Sequence, residues 1–431
     1  MPNNLVFNTS PDNLKTQIYG SNISVPVTTD NQGVLSAGIS NLGSNVNSLL
    51  NKLQTTVNSS VIQLYPQYGI SVLRDTITVV GAATVTTPSS GNGYQLSTTA
   101  VALNAATLDS AINSQHNMGT AAEAAIEVLL PASPTGNQVV RWGIFSDQDG
   151  FCFGQDSTGI FIATRLASIE TKVYQASWNG DKLNGTGASG LTLNLAKGNQ
   201  FQFTYIFAFG VVEFRVVMQD ASNIEQVVTV HRYRLDNAPN MNDPNLPIRV
   251  QVQNGATASA LSLFVYSRSY AVLGVPDYSQ RITSDRRLNV SVSTTFLPLV
   301  SFRKKAVFPA GTTRPNSVTV YIQGLDLLTD QECIWQIRLA STLTGASFTT
   351  PLDTPASETC LEADVSATAI NTATGVLIYE GLAASANKAT FLTSKEITLV
   401  VPDNQTVTVA VRVVSGAAAS VSSVLRMREL W

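Results

Sequence analysis

The residues of this chain that could do chemistry are few. It carries two histidines, His116 and His231. His116 stands in Asn113-Ser114-Gln115-His116-Asn117, a polar loop or helix end, and His231 in Val230-His231-Arg232-Tyr233, a strand pattern. An imidazole works as a base or a metal ligand when further groups converge on it. Neither histidine has such neighbours in sequence, so both are expected to be structural. The densest acidic group is Ser146-Asp147-Gln148-Asp149-Gly150, followed by Asp156. Asp-x-Asp-Gly offers hard oxygen ligands of the kind calcium prefers. The closing glutamate of a calcium loop is missing, however, and Asp-Gly between apolar runs is itself a hairpin signal. Turn residues without a metal are therefore expected. Glu123, Glu170 and Glu213 are carboxylates of the central region. Nothing in the sequence selects two of them as a hydrolytic pair. Gly-x-Ser-x-Gly, a phosphate loop and His-Glu-x-x-His are all absent from the sequence. We expect no enzyme and no cofactor.

Three cysteines, Cys152, Cys333 and Cys360, are too few and too widely spaced for a disulfide framework or a zinc site. Cys152, between Phe151 and Phe153, reads as a small buried hydrophobe. Cys333 and Cys360 fall in one region, where pairing in an oxidising compartment stays open.

Of the 431 residues 44% are hydrophobic, but only 13% are charged, about half the usual fraction of roughly 25%. Small neutral polar residues take the place of the charges. Such a surface meets its own copies or a host surface without desolvating many charges. The net charge of −3 leaves no electrostatic footprint for nucleic acid. The densest basic run, Arg303-Lys304-Lys305, reads as a solvated strand end. The start, Met1-Pro2-Asn3-Asn4, lacks the features of a signal peptide, and no stretch approaches the ~20 apolar residues of a membrane span. A location on a virion or an extracellular surface is expected, reached without a signal peptide and without membrane insertion.

These residues must be positioned by a chain that divides into four parts. Residues 1–33 are a polar extended arm. Over residues 34–62 the sequence predicts an amphipathic helix. Leu35, Ile39, Leu42, Val46, Leu49 and Leu53 step by alternating fours and threes, an a/d seam of nearly three heptads. The seam can pack on its own domain or join subunits as a short coiled coil, with a trimer the favoured number. Residues 63–272 change to a period of two, with a short helix admitted over 103–117. A boundary near Leu273-Gly274-Val275-Pro276 opens a second β-region, 273–431. The expected fold is all-β, as tandem β-sandwich or jelly-roll-like domains with one N-terminal helix. Trp142, Phe145, Phe151, Phe153 and Phe161 read as sandwich core. Trp178, Asp181 and Lys182 lie in a polar loop and form the expected contact surface. The Gly-rich stretch 180–190 fits close backbone approach, to its own sheet or to a neighbour.

Two runs carry a family resemblance. One is Trp178-Asn179-Gly180-Asp181-Lys182-Leu183-Asn184-Gly185-Thr186-Gly187-Ala188-Ser189-Gly190, and the other is Asn245-Leu246-Pro247-Ile248-Arg249. With Gly143 to Gly154 they resemble a domain of an uncharacterised family of β-rich structural proteins from tailed bacteriophages and large viruses. The arm Asn13 to Gly20 is similar to the start of related proteins in Gram-positive bacteria and their phages. The likeness departs at Phe207-Ala208-Phe209-Gly210-Val211-Val212, where the family has a Trp-Leu-Gly-Val-Gly turn. It implies a structural or adhesive component of a phage particle: a tail fibre, head fibre or baseplate-type protein. It would assemble with itself and with other particle proteins. A spore-surface or extracellular appendage component is the alternative. A carbohydrate-binding or carbohydrate-active sandwich is a third reading, with a cell-surface glycan as partner.

The seam generates the first prediction. Leu42→Asn together with Leu49→Asn places two polar groups in it, at about 1–3 kcal/mol each if unpaired. Light scattering is expected to show an oligomer that dissociates in this variant. A monomeric wild type, or an unchanged assembly, would place the seam inside one subunit.

Overall fold

From Asn58 onward the period-two segments form strands. The computed structural model describes residues 58–431 apart from 89–92, 117–118, 221–222, 275–277, 385–387 and 394–398. The chain divides into two units, 1–55 and 56–431, and the described strands belong to the second. Leu35 to Leu53 lie outside the described residues. The tail of the expected helix does not: residues 58–62 belong to a strand. Asn58, Ser60 and Ile62 pair with Leu273, Ala271 and Tyr270, and Ile62 and Leu64 enter the core. Once the a/d seam fades after Leu53, the only burial open to Ile62 and Leu64 is on one face of a strand.

Among the described residues, fifteen strands build the first sandwich. They are β1 (Asn58–Leu64), β2 (Asp75–Val80), β3 (Thr84–Thr86), β4 (Tyr94–Thr98), β5 (Ala105–Ser110), β6 (Ala121–Leu129), β7 (Val139–Phe145), β8 (Gly150–Asp156), β9 (Gly159–Leu166), β10 (Ile169–Tyr174), β11 (Asn199–Ile206), β12 (Val212–Gln219), β13 (Glu225–Tyr233), β14 (Ile248–Gln253) and β15 (Leu261–Leu273). One sheet runs β13-β12-β11-β6-β15-β4-β3, with β1 added on β15; the other runs β10-β9-β8-β7-β14-β5-β2. All pairings are antiparallel. The short helix admitted over 103–117 is not there. Ala106 and Leu108 alternate into the core from β5, which pairs with β2 and β14. Pairing on both sides holds that stretch extended.

Aromatic rings fill the space between the two sheets. Phe153 of β8 lies 4.8 Å from Phe201, 5.4 Å from Phe203, 5.5 Å from Phe214 and 6.3 Å from Trp178 between centroids. Trp142 meets Phe201 edge-on at 5.0 Å. Edge-to-face packing matches the positive edge of one ring to the negative face of the next. Phe145 and Phe161 instead point to the outer side of their sheet, where they pack with Cys152 and Ala163.

The second sandwich comprises β16 (Gln280–Val292), β17 (Leu297–Lys304), β18 (Thr319–Thr329), β19 (Cys333–Leu339), β20 (Leu343–Thr344), β21 (Leu361–Asp364), β22 (Ala369–Ile370), β23 (Val376–Ala383), β24 (Lys388–Thr393), β25 (Thr406–Val413) and β26 (Ala419–Leu430). Its sheets run β16-β26-β18-β24 and β21-β17-β25-β19-β23, and β20 pairs with β22. Its own core gathers Phe302, Trp335, Ile337, Val409 and Met427. The fold is all-β, in tandem sandwiches. Polar contacts join the two: Gln115 Nε2 donates to the Tyr321 hydroxyl (3.0 Å), and Arg314 pairs with Asp243 (3.1 Å). Leu73 of the first sandwich packs on the second core. Cys333 and Cys360 are buried and unpaired. Lys304 is not solvated as its run implied: it is buried against Asp403, because β17 turns it inward after Phe302. Among the described residues no helix is long and apolar enough to cross a membrane.

Replacing Phe153 by alanine removes the ring that five other aromatics touch or nearly touch. A loss of about 3–5 kcal/mol is expected, read as a lower urea midpoint by near-ultraviolet circular dichroism. A loss under ~1 kcal/mol would show that the rings close up without it.

Candidate functional site

The central strands of the first sandwich give their inner faces to the aromatic core, so the polar chemistry collects on the two outer faces. On the seven-stranded sheet, β7 sends Arg141 outward, β8 Asp156, β9 Arg165, β10 Glu170 and Lys172, β14 Arg249 and β5 Asp109. Strand register brings these scattered residues together. Glu170 accepts from Arg141 Nε and Nη2, both at 2.9 Å, and from Arg165 Nη2 at 2.7 Å. Asp156 accepts from Lys172 Nζ (2.8 Å) and the Tyr174 hydroxyl (2.9 Å). Arg249 pairs with Asp109 (2.7 Å) and with Asp147 (2.6 Å). The cations also lie over rings: Arg165 and Arg249 over Phe145, Lys172 over Phe161.

This face is self-neutralised. Burial opposes ionisation of Glu170, but the guanidiniums of Arg141 and Arg165 outweigh it and hold the carboxyl below the ordinary range. Asp156 is held low against burial by Lys172, the Thr158 N–H and Tyr174. Burial pushes the Cys152 thiol up to about 12, so it is no nucleophile near neutrality. A carboxylate whose oxygens are filled by arginine donors is a poor proton donor or acceptor.

The other two candidate glutamates are on the opposite sheet. Glu123 of β6 and Glu213 of β12 flank Thr204 of β11 in one row of the outer face. Burial is the larger influence on both, but the outcomes differ. It raises Glu123 against the pull of Arg215, whereas Arg232 and Arg215 overcome it at Glu213 and hold that carboxyl low. Arg232 Nε donates to Glu213 at 2.7 Å and Arg215 Nε at 2.9 Å. Glu213 and Thr204 are both buried, so a substrate has no room between the two carboxyls.

The turn residues are placed as expected. Ser146 N–H donates to the Asp149 carbonyl (2.8 Å), closing the β7–β8 hairpin. Asp149 is buried and accepts from Ala167 N–H and from Asn242. Asp147 is exposed on Arg249. Among the described residues no three His, Cys, Asp or Glu are grouped so as to hold a metal ion.

The expected contact surface at Trp178, Asp181 and Lys182 needs correction. Trp178 is 2% exposed: its ring meets Phe153 edge-on and its indole N–H donates to the Val173 carbonyl at 3.1 Å. The polar sequence around it hid a core residue, because Asn179 and Gly180 are tied to β13. Gly180 N–H donates to the Val230 carbonyl at 3.0 Å, and a Cβ at Gly180 would strike the Thr229 carbonyl. Asp181 organises the loop by accepting from Leu183 N–H (2.8 Å) and Ser189 N–H (2.7 Å). These N–H groups hold its carboxyl low against burial, and a Cβ at Gly187 would collide with it. The Gly-rich stretch approaches its own sheet. Lys182 is half-buried beside it.

Sequence reasoning missed an open groove on the eight-stranded sheet, of about 650 Å³, between β6, β11, β12, the segment 192–198 and the residues Asp220, Asn223 and Glu225. The alternation of β6 marks Glu123 and Glu127 as outward, but which side chains stand beside them follows from register alone.

No family model matches the chain, and no curated protein matches its sequence. Among solved structures it is similar to a cellulose-induced protein, Cip1 (12% identity, TM-score 0.32, covering 49% of this chain and 97% of that one). It is also similar to a legume lectin-like domain from Entamoeba histolytica (11%, 0.28, 48% and 95%) and to arcelin-5, a lectin-like defence protein from Phaseolus vulgaris (12%, 0.30, 50% and 98%). Scores this low carry no argument about the activity of this chain.

His116 gives this site its pH prediction. It is buried, stacked on Tyr205 at 5.6 Å, with neither ring nitrogen hydrogen-bonded. Burial lowers its pKa from 6.5 to about 4. The unfolded chain therefore takes up the proton first. The contribution is full above pH 6.5 and is lost as the pH falls toward 4, by ~3 kcal/mol in total. The carboxyls of Glu123 and Asp109, raised by burial, act in the opposite sense, so the difference between variants is the measure. In His116→Phe, urea unfolding between pH 7 and 4 is expected to lose less stability than in the wild type. Equal losses would refute the assignment.

Proposed function

We propose that the chain is a non-catalytic structural and adhesive building block of a phage particle, self-associated through the apolar seam expected from Leu35 to Leu53. The sequence resemblance supplies the particle. The observation that carries the non-catalytic part is the state of the carboxylates. Glu170 and Glu213 are each held ionised by two arginines, and Glu123 faces a buried threonine. Acid–base catalysis needs a proton donor and an acceptor that both reach substrate. Neither histidine supplies one: His116 is buried, and His231 Nδ1 accepts from Asn179 N–H (3.1 Å). Two sandwiches with separate cores, joined by polar contacts and by Leu73, suit a spacer that holds its surfaces at fixed positions in an assembly. The partners on this reading are further copies, other particle proteins and a cell surface.

Purified protein incubated with glycan, peptide and phosphoester substrates is expected to turn over none. Hydrolysis that disappears in Glu123→Gln or Glu213→Gln would overturn this reading and make the chain a carbohydrate-active or related enzyme.

A further inference from the structure

We infer that the groove on the eight-stranded sheet is a binding site for a short, neutral oligosaccharide. This deepens the adhesive reading above and rests on it.

The floor of the groove is a row across three strands. Glu127 of β6 stands beside Gln200 of β11, and Gln200 beside Val217 of β12. Tyr266 closes one end, in the bulge of β15 opposite Glu127. Lys197 and Asn194 form one wall; Gln219 and Glu225 of the β12–β13 hairpin form the other. From β15 to β13 there are four strand spacings, roughly 19 Å, the length of a short oligosaccharide.

The polar groups here differ from those elsewhere on the first sandwich. On the opposite face every cation has a carboxylate. In the groove, the amides of Gln200 and Gln219, the ammonium of Lys197 and the hydroxyl of Tyr266 have no hydrogen bond or ion pair among the described residues. Their donors and acceptors are available to a ligand. Amides and carboxylates each match a pair of neighbouring hydroxyls, and a tyrosine ring can cover the C–H face of a sugar. Charge narrows the class. Glu127, Asp220 and Glu225 outnumber Lys197, so sialylated, sulfated and phosphorylated chains are repelled. Single-site affinity in so open a groove is weak, and repetition around an oligomer raises it through avidity.

The test uses the full-length protein with maltotriose, cellotriose, triacetylchitotriose, sialyllactose and pentalysine, followed by saturation-transfer NMR and titration. Binding of at least one neutral trisaccharide, and not of sialyllactose, is expected. The double variant Gln200→Ala and Tyr266→Ala should weaken it about tenfold with an unchanged thermal midpoint. Unaltered binding in that variant, loss in Arg141→Ala instead, preference for pentalysine, or no binding at all would each overturn the site. Light scattering on the same samples keeps the two readings apart. An assembled protein that binds no sugar refutes the groove and leaves the building block standing. A monomer that binds through Gln200 and Tyr266 does the reverse.

Discussion

The first sandwich depends on a slab of aromatic rings centred on Phe153. Rings from β7 and β8 on one sheet meet rings from β11 and β12 on the other, mostly edge to face. Their size fixes the spacing of the sheets, and their geometry fixes the register in which strands meet. Trp178 extends the slab beyond the strands. By entering the core it draws the Gly-rich loop down onto β13, where Gly180 and Gly187 leave room for backbone and carboxylate. A run that resembles a family signature is thus, in this chain, a device for anchoring a loop.

The core between the sheets is apolar, so the charge lies on the outer faces, and there it is resolved in two ways. The seven-stranded face pairs each cation with a carboxylate and lays the guanidiniums of Arg165 and Arg249 on Phe145. Glu170 and Asp156 are held ionised within this network. The eight-stranded face is split. Near Thr204 the carboxylates are covered or clamped, while at its end amides and a tyrosine stand open in a groove. A chain with few charges can hold two sandwiches and still leave polar groups open at the end of one face.

Much of this was legible in the sequence. Alternation of apolar and polar residues announced strands from residue 63 onward and two β-regions. Asp147, Asp149 and Gly150 announced a hairpin, and the Phe-Cys-Phe run announced its burial. These are local properties: the period of a strand and the dihedral preferences of a turn act over a few residues, and the order of the residues records them. Trp178 was misread because its neighbours are polar, and their partners on β13 are some fifty residues away. Residues 58–62 were misread because a faded helical stripe and a strand edge look alike over five positions.

The sequence by itself determined the class of fold, the scarcity of catalytic material and most of the side chains that alternate inward, though not the outward turn of Phe145 and Phe161. Tertiary structure decided which of the outward ones stand together. Glu170 meets Arg141 and Arg165, Glu123 and Glu213 flank Thr204, and Gln200 sits beside Glu127 because of antiparallel register among strands distant in the chain. Register is set by the closure of a shared core, and a shift of one residue would turn every one of these side chains to the other face. No local pattern carries that information, so the site became visible when the sheets closed.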